Sequence, residues 1–524
     1  MRKSGRFWFL PSIATIAAAG LAGIAACTTM GGDTPPPPGP VAAIPVCQSP
    51  AMFPAGFDYP KTFAQVDRWI ATGDVPRTRE HGWYLWAGLN FATPGGPVWR
   101  TWCTSTQAFD FGPDARGSSY AAAGPGGAHR PGILPLRAIR ASRGQGPTED
   151  PINFTDGPGY PVPDPVRAAY PQCYVPPAPN SHQFGGLRDG PTFQSNGDVM
   201  VAGVIYNPTA YDWIRSRNEY LAATLNALIP PSDRTASMSV LPLRSMALKP
   251  MMWPIPRSGY SAIPVWDDPQ DDHDSYAGFE VPGLWPRAVA VGAMPTDARN
   301  VDVRTFLGLR TRNDDRSPAR EPVTYRGIPT WPLSSFYSFT PQLAGMDDCD
   351  RAILDASAWW AYGRAFEQGD RLALVAMHIM SKETIGWTFQ SVWWHDRPNV
   401  GPYSLNRPNI PHDRAPGPWR NYLLAVTYGI PDPQMPTQWP IAFNPYIELA
   451  ASHPIRTNCM NCHHRAAWPG QSDGYEKAGG PDALTRFRQN NAILNGLVQT
   501  DALWSVTDRA GPPAAPLVPP ARSR

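Results

Sequence analysis

The clearest alternation of apolar and polar positions lies in the stretch RLALVAMHIM at residues 371–380. Alternation with a period of two predicts a β-strand whose alternate side chains share one face. The residues on that face are Leu372, Leu374, Ala376, His378 and Met380, and Lys382 continues it. After a short connection, the aromatic stretch WTFQSVWW at residues 387–394 predicts a second strand. Together the two strands predict an antiparallel hairpin with an aromatic face.

Helical patterns are less common than strand patterns in this chain. Apolar residues recur at near-helical spacing over residues 210–228, and weaker helical patterns cover residues 353–367 and 482–498. Further strands are predicted at residues 83–91 and 199–206. The 64 prolines are spread along the chain, which excludes long uninterrupted helices. We therefore predict an α+β fold that is β-rich, with short strands, Pro-rich loops and few helices.

An apolar stretch covers residues 7–26 and follows a basic segment, RKSGR, at residues 2–6. This arrangement is typical of a secretory signal peptide. The stretch ends in Ile-Ala-Ala before Cys27, as in bacterial lipoprotein signals, in which the cysteine is lipidated. Ordinary cleavage after Ala26 would instead give a soluble periplasmic protein, and retention of the stretch would give a membrane span. We predict lipidation at Cys27, and hence an envelope protein that faces the periplasm.

In the rest of the chain, composition gives only weak domain boundaries. Residues 27–46 contain GGDTPPPPGP and are predicted to form a lipidated N-terminus with a Pro-rich tether. We then predict a β-rich N-terminal region over residues 47–340 and a hairpin and cofactor region over residues 341–524, which can form one continuous domain. Loss of residues 1–26 removes three cationic residues and no anionic ones, so the formal charge falls from +2 to −1. Such a balance gives no reason to expect nucleic acid as a partner.

The most informative motif is CMNCH at residues 459–463. The spacing C-x-x-C-H is the attachment motif of c-type haem. Cys459 and Cys462 can each add to one porphyrin vinyl group, and His463 can then ligate the iron from below the ring. A zinc ribbon would need a second ligand pair at similar spacing, and the sequence contains no other C-x-x-C. We therefore predict one covalently attached haem c, with His463 as the iron ligand.

Tryptophan is unusually frequent in the C-terminal region. A large macrocycle needs an apolar wall, and these rings could supply part of it, although we expect most of them to be ordinary core residues. They are Trp359, Trp360, Trp387, Trp393, Trp394, Trp419, Trp439 and Trp468.

Four cysteines remain after Cys27 and the two cysteines of the motif. They are Cys47, Cys103, Cys173 and Cys349. An even number of cysteines in an oxidising compartment predicts two disulfide bonds. Three pairings are possible, and the sequence does not separate them. A bond from Cys349 would join the C-terminal region to the N-terminal region.

The sequence leaves the second axial ligand of the iron open. No methionine follows Met460, so the downstream methionine ligand of small mitochondrial-type cytochromes is absent. His378 and Met380 share a predicted strand face and could reach the iron. Less constrained candidates are His395, His412, Met435 and His453. His464 is discounted, because it adjoins His463 and would need to swing around the ring. The alternative is an open distal position.

Several segments resemble a group of bacterial monohaem cytochrome c family proteins. The segments are VAMHIMSKETIGWTFQSVWWHD, MPTQWP and NCMNCHHRAAWP, and the resemblance extends back to HGWYLWAGLNF and VMVAGVIYNPTAYDWI. It covers most of the chain and implies a single haem, without a settled activity. A looser similarity to the lysine-cross-linked monohaem cytochromes that oxidise hydroxylamine implies that Lys382 attaches to the porphyrin edge. The alternative is that Lys382 is a turn lysine in solvent.

Two functions follow from these predictions. The first is electron transfer to or from a periplasmic redox partner by a monohaem protein that a lipid anchors to the membrane. The second is a haem-dependent oxidoreductase or small-ligand binder with an open distal site, acting on a nitrogen oxide, a peroxide or a small organic substrate. The chain is several times longer than a single-haem carrier requires, which leaves room for a substrate pocket or a docking surface.

Overall fold

The computed structural model describes thirteen parts of the chain. They are residues 47, 49–109, 162–175, 186–187, 200–267, 285–293, 297–306, 322–344, 346, 348–448, 457–469, 486–487 and 492–510. The predicted signal peptide, Cys27 and the tether lie outside these residues. The described residues belong to one compact unit. Within them, no helix combines the length and the apolar character that are needed to cross a membrane.

Most of the strands are short, as the density of proline predicts. In chain order they are β1 (Ala92–Thr93), β2 (Gly96–Pro97), β3 (Cys103–Thr104), β4 (Tyr174–Val175), β5 (Gly186–Leu187), β6 (Val201–Ala202), β7 (Ile205–Tyr206), β8 (Ala236–Ser237), β9 (Met246–Ile255), β10 (Ser261–Val265), β11 (Arg287–Gly292), β12 (Asn300–Thr305), β13 (Val323–Pro332), β14 (Ser338–Phe339), β15 (Arg371–Ser381), β16 (Thr388–Trp394), β17 (Tyr422–Thr427), β18 (Ala467–Trp468) and β19 (Val498–Gln499).

The largest sheet has eight strands and is antiparallel throughout. Its order is β17-β16-β15-β9-β7-β3, with β14 also paired to β15 and β6 also paired to β9. Strands from before and after residue 340 therefore lie in one sheet. A second sheet has the order β10-β11-β13-β12, in which only β11 and β13 are parallel. Three smaller sheets join β18-β19-β8, β1-β2 and β4-β5.

Within the described residues the α-helices are few and mostly short, which confirms the predicted α+β class. They are α1 (Phe63–Thr72), α2 (Val75–Leu89), α3 (Ser105–Ala108), α4 (Asp164–Ala169), α5 (Pro208–Ser216), α6 (Ala222–Asn226), α7 (Asp348–Tyr362), α8 (Cys459–His463) and α9 (Trp504–Arg509). The longest of them, α2 and α7, have 15 residues each.

The prediction of a strand over residues 83–91 is wrong, because most of this segment belongs to α2. The helix begins after Asp74, whose side chain accepts a hydrogen bond from the backbone N–H of Arg77 at 3.2 Å, and it has Pro76 in its first turn. Its C-terminal half is buried almost throughout. A helix that is buried on most sides has no polar face, so its period cannot be recognised in the sequence.

Two other elements are interrupted where continuous ones are predicted. The helix predicted over residues 210–228 is two helices, α5 and α6, because Asn218 between them adopts a left-handed conformation with φ of 57°. The strand predicted over residues 199–206 is the two short strands β6 and β7, both of which pair with β9. In both cases a local break in the backbone divides a continuous apolar pattern.

The remaining helix predictions fail in part. The helix predicted over residues 353–367 is α7, which begins earlier and ends at Tyr362, before the left-handed Gly363 with φ of 80°. In the described part of residues 482–498, the chain forms a 3₁₀ turn at Ala492–Leu494 and enters β19, so the predicted helix is wrong there.

Strands β15 and β16 form the predicted antiparallel hairpin. Met380 lies opposite Phe389, and His378 lies opposite Ser391. Both strands are buried along almost their whole length. They are flanked by β9 and β17 in the interior of the large sheet, and such strands lose the polar face that an edge hairpin would present.

A register shift changes which side chains share a face of β15. It lies between Leu374 and Ala376 in the pairing with β9. An extra residue in one strand reverses the alternation beyond it. The predicted single face is therefore interrupted, and only its part from Ala376 to Met380, which carries His378, is continuous.

The four cysteines other than Cys27 and the two of the motif form two disulfide bonds, Cys47–Cys103 and Cys173–Cys349. The second bond connects the segment after α4 to α7, and so joins the predicted N-terminal and C-terminal regions. The prediction of two disulfides is confirmed, and the structure selects one of the three pairings.

Candidate functional site

The C-x-x-C-H motif forms the single helical turn α8. Asn458 caps this turn: its side-chain oxygen accepts a hydrogen bond from the backbone N–H of Asn461 at 3.3 Å. The amide nitrogen of the same side chain donates to the carbonyl oxygen of Pro440 at 2.7 Å and to the hydroxyl of Thr427 at 3.2 Å. One buried side chain thus fixes the motif to the end of β17.

The two cysteines of the motif carry thiols and take no part in the disulfide bonds. Cys459 is buried, and its sulfur lies 3.2 Å from the carbonyl oxygen of Ala442 and 4.0 Å from Oε1 of Glu448. Burial raises the pKa of the Cys459 thiol well above its usual value, and it raises the pKa of Cys462 to about 12. Both sulfurs are therefore protonated in the folded chain.

His463 is held in one orientation by the main chain. Its Nδ1 lies 2.8 Å from the carbonyl oxygen of Ala502, so Nδ1 carries the proton and donates it. Its ring lies 5.1 Å from that of Phe389, centroid to centroid. Burial lowers the pKa of His463 to about 3, against the opposing effect of the Ala502 carbonyl. The imidazole is therefore neutral, with the lone pair on Nε2.

These three side chains fit a c-type haem. The two thiols lie within one helical turn, as the addition to two vinyl groups of one porphyrin requires. A histidine that ligates a metal usually donates its other ring N–H to a carbonyl or carboxylate, which fixes its tautomer. The bond from His463 to Ala502 is of this kind, and it leaves Nε2 as the ligating atom.

An apolar cluster surrounds the motif. It includes Met380, Trp387, Phe389, Trp439 and Met460 together with Cys459. Trp393, Trp394 and Trp419 belong to a different cluster, in the main core of the large sheet. Trp387 and Trp439 are therefore the buried tryptophans beside the motif, and the partly buried Trp468 packs against the same cluster. The remaining five, Trp359, Trp360, Trp393, Trp394 and Trp419, lie in or against the main core.

The distal candidates on β15 also lie near the motif. The rings of His378 and His463 are 6.5 Å apart, centroid to centroid, at an angle of 49°. Nε2 of His378 lies 2.9 Å from Oε1 of Glu448. Met380 lies opposite Phe389, whose ring contacts His463. The hairpin thus brings both predicted candidates to the side chains of the motif.

A set of metal-ligating atoms lies beside the motif. One ligand atom each from His378, Glu448 and Cys459 lies within 4.8 Å of the others. Imidazole nitrogen, carboxylate oxygen and thiolate sulfur are the donors that zinc and related metals use, and three protein ligands are typical of a catalytic zinc site. The same cysteine would be consumed by a thioether bond, so the two kinds of site exclude each other.

Lys382 lies in the interior of the protein. Only 1% of the residue is exposed, and its Nζ lies 2.7 Å from Oδ1 of Asp501 and 2.8 Å from the carbonyl oxygen of Ile385. The ammonium group also lies 4.9 Å from the ring centroid of Trp387. The interpretation of Lys382 as a turn lysine in solvent is therefore wrong. Attachment of this lysine to a porphyrin stays a prediction.

Two of the other candidates, His395 and His464, lie in positions that suit structural roles. His395 uses both ring nitrogens on main-chain atoms of Trp266 and Arg397, at 3.1 and 2.8 Å. The ring nitrogens of His464 lie 3.1 and 3.4 Å from main-chain carbonyl oxygens. The remaining candidates are His412 and Met435, which are exposed, and His453, which lies outside the described residues.

Three residues of the site are missed by sequence reasoning. Asn458 could have been recognised, since an asparagine directly before a helical turn is a common N-cap. Glu448 and Ala502 have no such local signal. They reach the motif through contacts that only the folded chain makes.

No protein-family model, curated protein or solved structure matches this chain. The function is therefore inferred from the residues and their geometry. The features that bear on it are the two thiols of α8, the orientation of His463 and the side chains that face it from β15.

Proposed function

We propose that the chain is a monohaem c-type cytochrome of the bacterial envelope that transfers electrons to or from a periplasmic redox partner. The observation that carries the proposal is the orientation of His463. Its Nδ1–H is bound to the carbonyl oxygen of Ala502 at 2.8 Å, next to two thiols in the same helical turn. A neutral imidazole with a fixed Nε2 lone pair beside two thiols is the donor set of a c-type haem.

Each side chain has a defined task in this proposal. Cys459 and Cys462 would hold the porphyrin through thioether bonds, and His463 would ligate the iron through Nε2. When bound, the haem supplies a one-electron iron couple. Trp387 and Phe389 pack at the motif and are almost fully buried, so they would exclude water from it. Exclusion of water limits the solvent rearrangement that accompanies each electron transfer.

The cell envelope is the compartment that best suits this chemistry. The signal sequence directs the chain out of the cytoplasm, and Cys27 offers a lipid anchor. The two disulfide bonds suit an oxidising compartment. Without lipidation, the same chain would be a periplasmic protein.

One observation favours a second candidate, a haem enzyme or small-ligand binder with an open distal site. Nε2 of His378 lies 2.9 Å from Glu448. If this contact persists beside the cofactor, Nε2 of His378 does not ligate the iron, and the distal position stays open to a small molecule. A nitrogen oxide, a peroxide or a small organic substrate would suit such a site.

The test begins with the chain of 524 residues, exported by a bacterium that matures c-type cytochromes and then reduced with dithionite. We expect the visible bands of a c-type haem that stays with the polypeptide on a denaturing gel. Cys459→Ser and Cys462→Ser should each leave one thioether bond, and the double variant should lose covalent haem. The matched control, Cys47→Ser/Cys103→Ser, removes two other cysteines and should keep the haem.

Three outcomes separate the possibilities. Correctly exported wild-type protein without haem bands would overturn the proposal. Stoichiometric zinc that is lost in both His378→Ala and Glu448→Gln would instead favour a metal site at these residues. A haem spectrum that shifts with carbon monoxide would favour the second candidate, because only an iron with an exchangeable position binds the gas.

A further inference from the structure

A buried ion pair adjoins Ala502, the residue whose carbonyl oxygen orients the proposed iron ligand. Nζ of Lys382 is 2.7 Å from Oδ1 of Asp501, and only 1% and 7% of the two residues are exposed. The other carboxylate oxygen of Asp501 accepts a hydrogen bond from the backbone N–H of Leu241 at 2.8 Å. The carboxylate is thus held from two sides, by the β15–β16 turn and by the loop before β9.

Asp501 begins a turn whose backbone conformation needs support. Asp501 and the next residue, Ala502, both lie in the left-handed region, with φ of 46° and 67°. Residues other than glycine adopt this conformation rarely, and mostly where surrounding contacts hold them. The turn is also closed by Thr500, whose N–H donates to the carbonyl oxygen of Ala466 and whose hydroxyl donates to that of Leu503, both at 3.0 Å.

The same turn presents the acceptor for His463. The carbonyl oxygen of Ala502 accepts the Nδ1–H of His463 at 2.8 Å. We propose that Lys382 and Asp501 are positioning residues, which hold the Ala502 carbonyl in place and so set the tautomer and the electron donation of His463. This inference deepens the proposed function and rests on it for the role of His463 as an iron ligand.

The burial of the Lys382–Asp501 pair indicates that its main contribution is to orient the Ala502 carbonyl rather than to stabilise the fold. Burying two charges costs solvation free energy that their attraction offsets only in part. The hydrogen bond on Nδ1, in contrast, raises the basicity of a histidine ligand. A firm bond to Ala502 would therefore favour the oxidised iron and keep the reduction potential low.

The experiment compares Lys382→Met, Asp501→Asn and the double variant with wild type. Lys61→Met is the matched control, because Lys61 also forms an ion pair, with Asp58, but in the N-terminal part of the chain. In each haem-loaded protein we would measure the midpoint potential and the NMR resonance of the His463 Nδ1 proton. We expect higher potentials and a displaced resonance in both single variants. The double variant should shift no further than the larger single variant, because both residues act on one carbonyl.

A second measurement does not need the cofactor. In protein without haem, ¹⁵N chemical shifts report the tautomer of His463. Wild type and Lys61→Met should hold the proton on Nδ1 alone, whereas Asp501→Asn should mix the two tautomers. Asp501→Asn keeps the size of the side chain and an acceptor for the Leu241 N–H. This variant therefore still tests the inference if Lys382→Met does not fold.

The outcomes keep the two proposals apart. A wild-type protein that carries no covalent haem would overturn the proposed function, and the tautomer measurement would then decide the inference by itself. If potential, proton resonance and tautomer in Lys382→Met and Asp501→Asn all match those of the control, the pair is only structural and the inference is wrong.

Discussion

His378 on β15 and His463 in α8 lie with their ring centroids 6.5 Å apart, although they are distant in the sequence. Two imidazoles that ligate one metal from opposite sides have centroids roughly 6 Å apart, because each metal–nitrogen bond is about 2 Å long. We therefore predict that His378 would supply a second nitrogen ligand in the proposed cytochrome, once its ring turns away from Glu448. The electron-transfer proposal requires such a ligand.

We accordingly expect wild-type protein to be low-spin and indifferent to carbon monoxide. His378→Ala should become high-spin and bind the gas, because it loses the sixth ligand. The control is Met380→Leu, which keeps an apolar side chain at the neighbouring position and should behave like wild type. Visible spectra of the reduced proteins check this. A carbon monoxide complex in wild type, unchanged in His378→Ala, would contradict the assignment.

Glu219 should make stability depend on pH. Burial raises its pKa from 4.5 to about 7, against the hydrogen bond from the Ser239 backbone N–H. Its Oε2 is buried without a hydrogen-bond partner among the described residues, which suits a protonated carboxyl. The folded chain therefore binds a proton that the unfolded chain releases. The stabilisation that this proton gives to the folded chain is complete below about pH 4.5, and it is lost as the pH rises through about 7.

This pH-dependent part of the free energy of unfolding amounts to about 3 kcal/mol at most, and Glu219→Gln should remove it. Urea unfolding at pH 5 and pH 8 measures the effect, with the partly exposed Glu80→Gln as a control that should follow wild type. We expect Glu219→Gln to lose less stability than wild type between the two pH values. Equal losses of stability in wild type and Glu219→Gln between pH 5 and pH 8 would show that Glu219 does not titrate in this range.

Gly82 marks a close approach between α2 and the large sheet. A Cβ atom at this position would lie 2.9 Å from Cγ1 of Val426 and 3.2 Å from side-chain atoms of Gln390 and Leu424. We expect Gly82→Ala to destabilise the fold by about 1–3 kcal/mol, because the sheet side chains must move. Thermal unfolding checks the sign. In an uncrowded helix the same substitution stabilises by up to about 1 kcal/mol, so a higher Tm would disprove the close approach.

The two disulfide bonds should differ in their effect on stability. Cys173–Cys349 joins residues that are 176 positions apart, against 56 for Cys47–Cys103. Closing a longer loop removes more entropy from the unfolded chain, by about 1 kcal/mol for this difference. Cys173→Ser/Cys349→Ser should therefore lower the free energy of unfolding by about 2–5 kcal/mol, and Cys47→Ser/Cys103→Ser by less. Urea titrations of both variants make the comparison, and the reverse order would contradict it.

The sequence alone was sufficient for features that depend on local patterns. The hairpin of β15 and β16 follows from two apolar stretches around a short polar connection, and the structure confirms it. The α+β class with few helices follows from the distribution of proline. The helical segment at residues 83–91 could not be recognised, because a helix that is buried on most sides shows no amphipathic period.

The candidate site also has one part that the sequence predicts and another that only the fold determines. The spacing of Cys459, Cys462 and His463 is local, so the sequence by itself determined these residues as the candidate attachment site. Only the tertiary structure decided that Glu448 meets His378, that Ala502 orients His463 and that Lys382 is buried against Asp501. Those contacts join distant segments, and their partners are selected by the packing of the whole sheet rather than by any pattern near them in the chain.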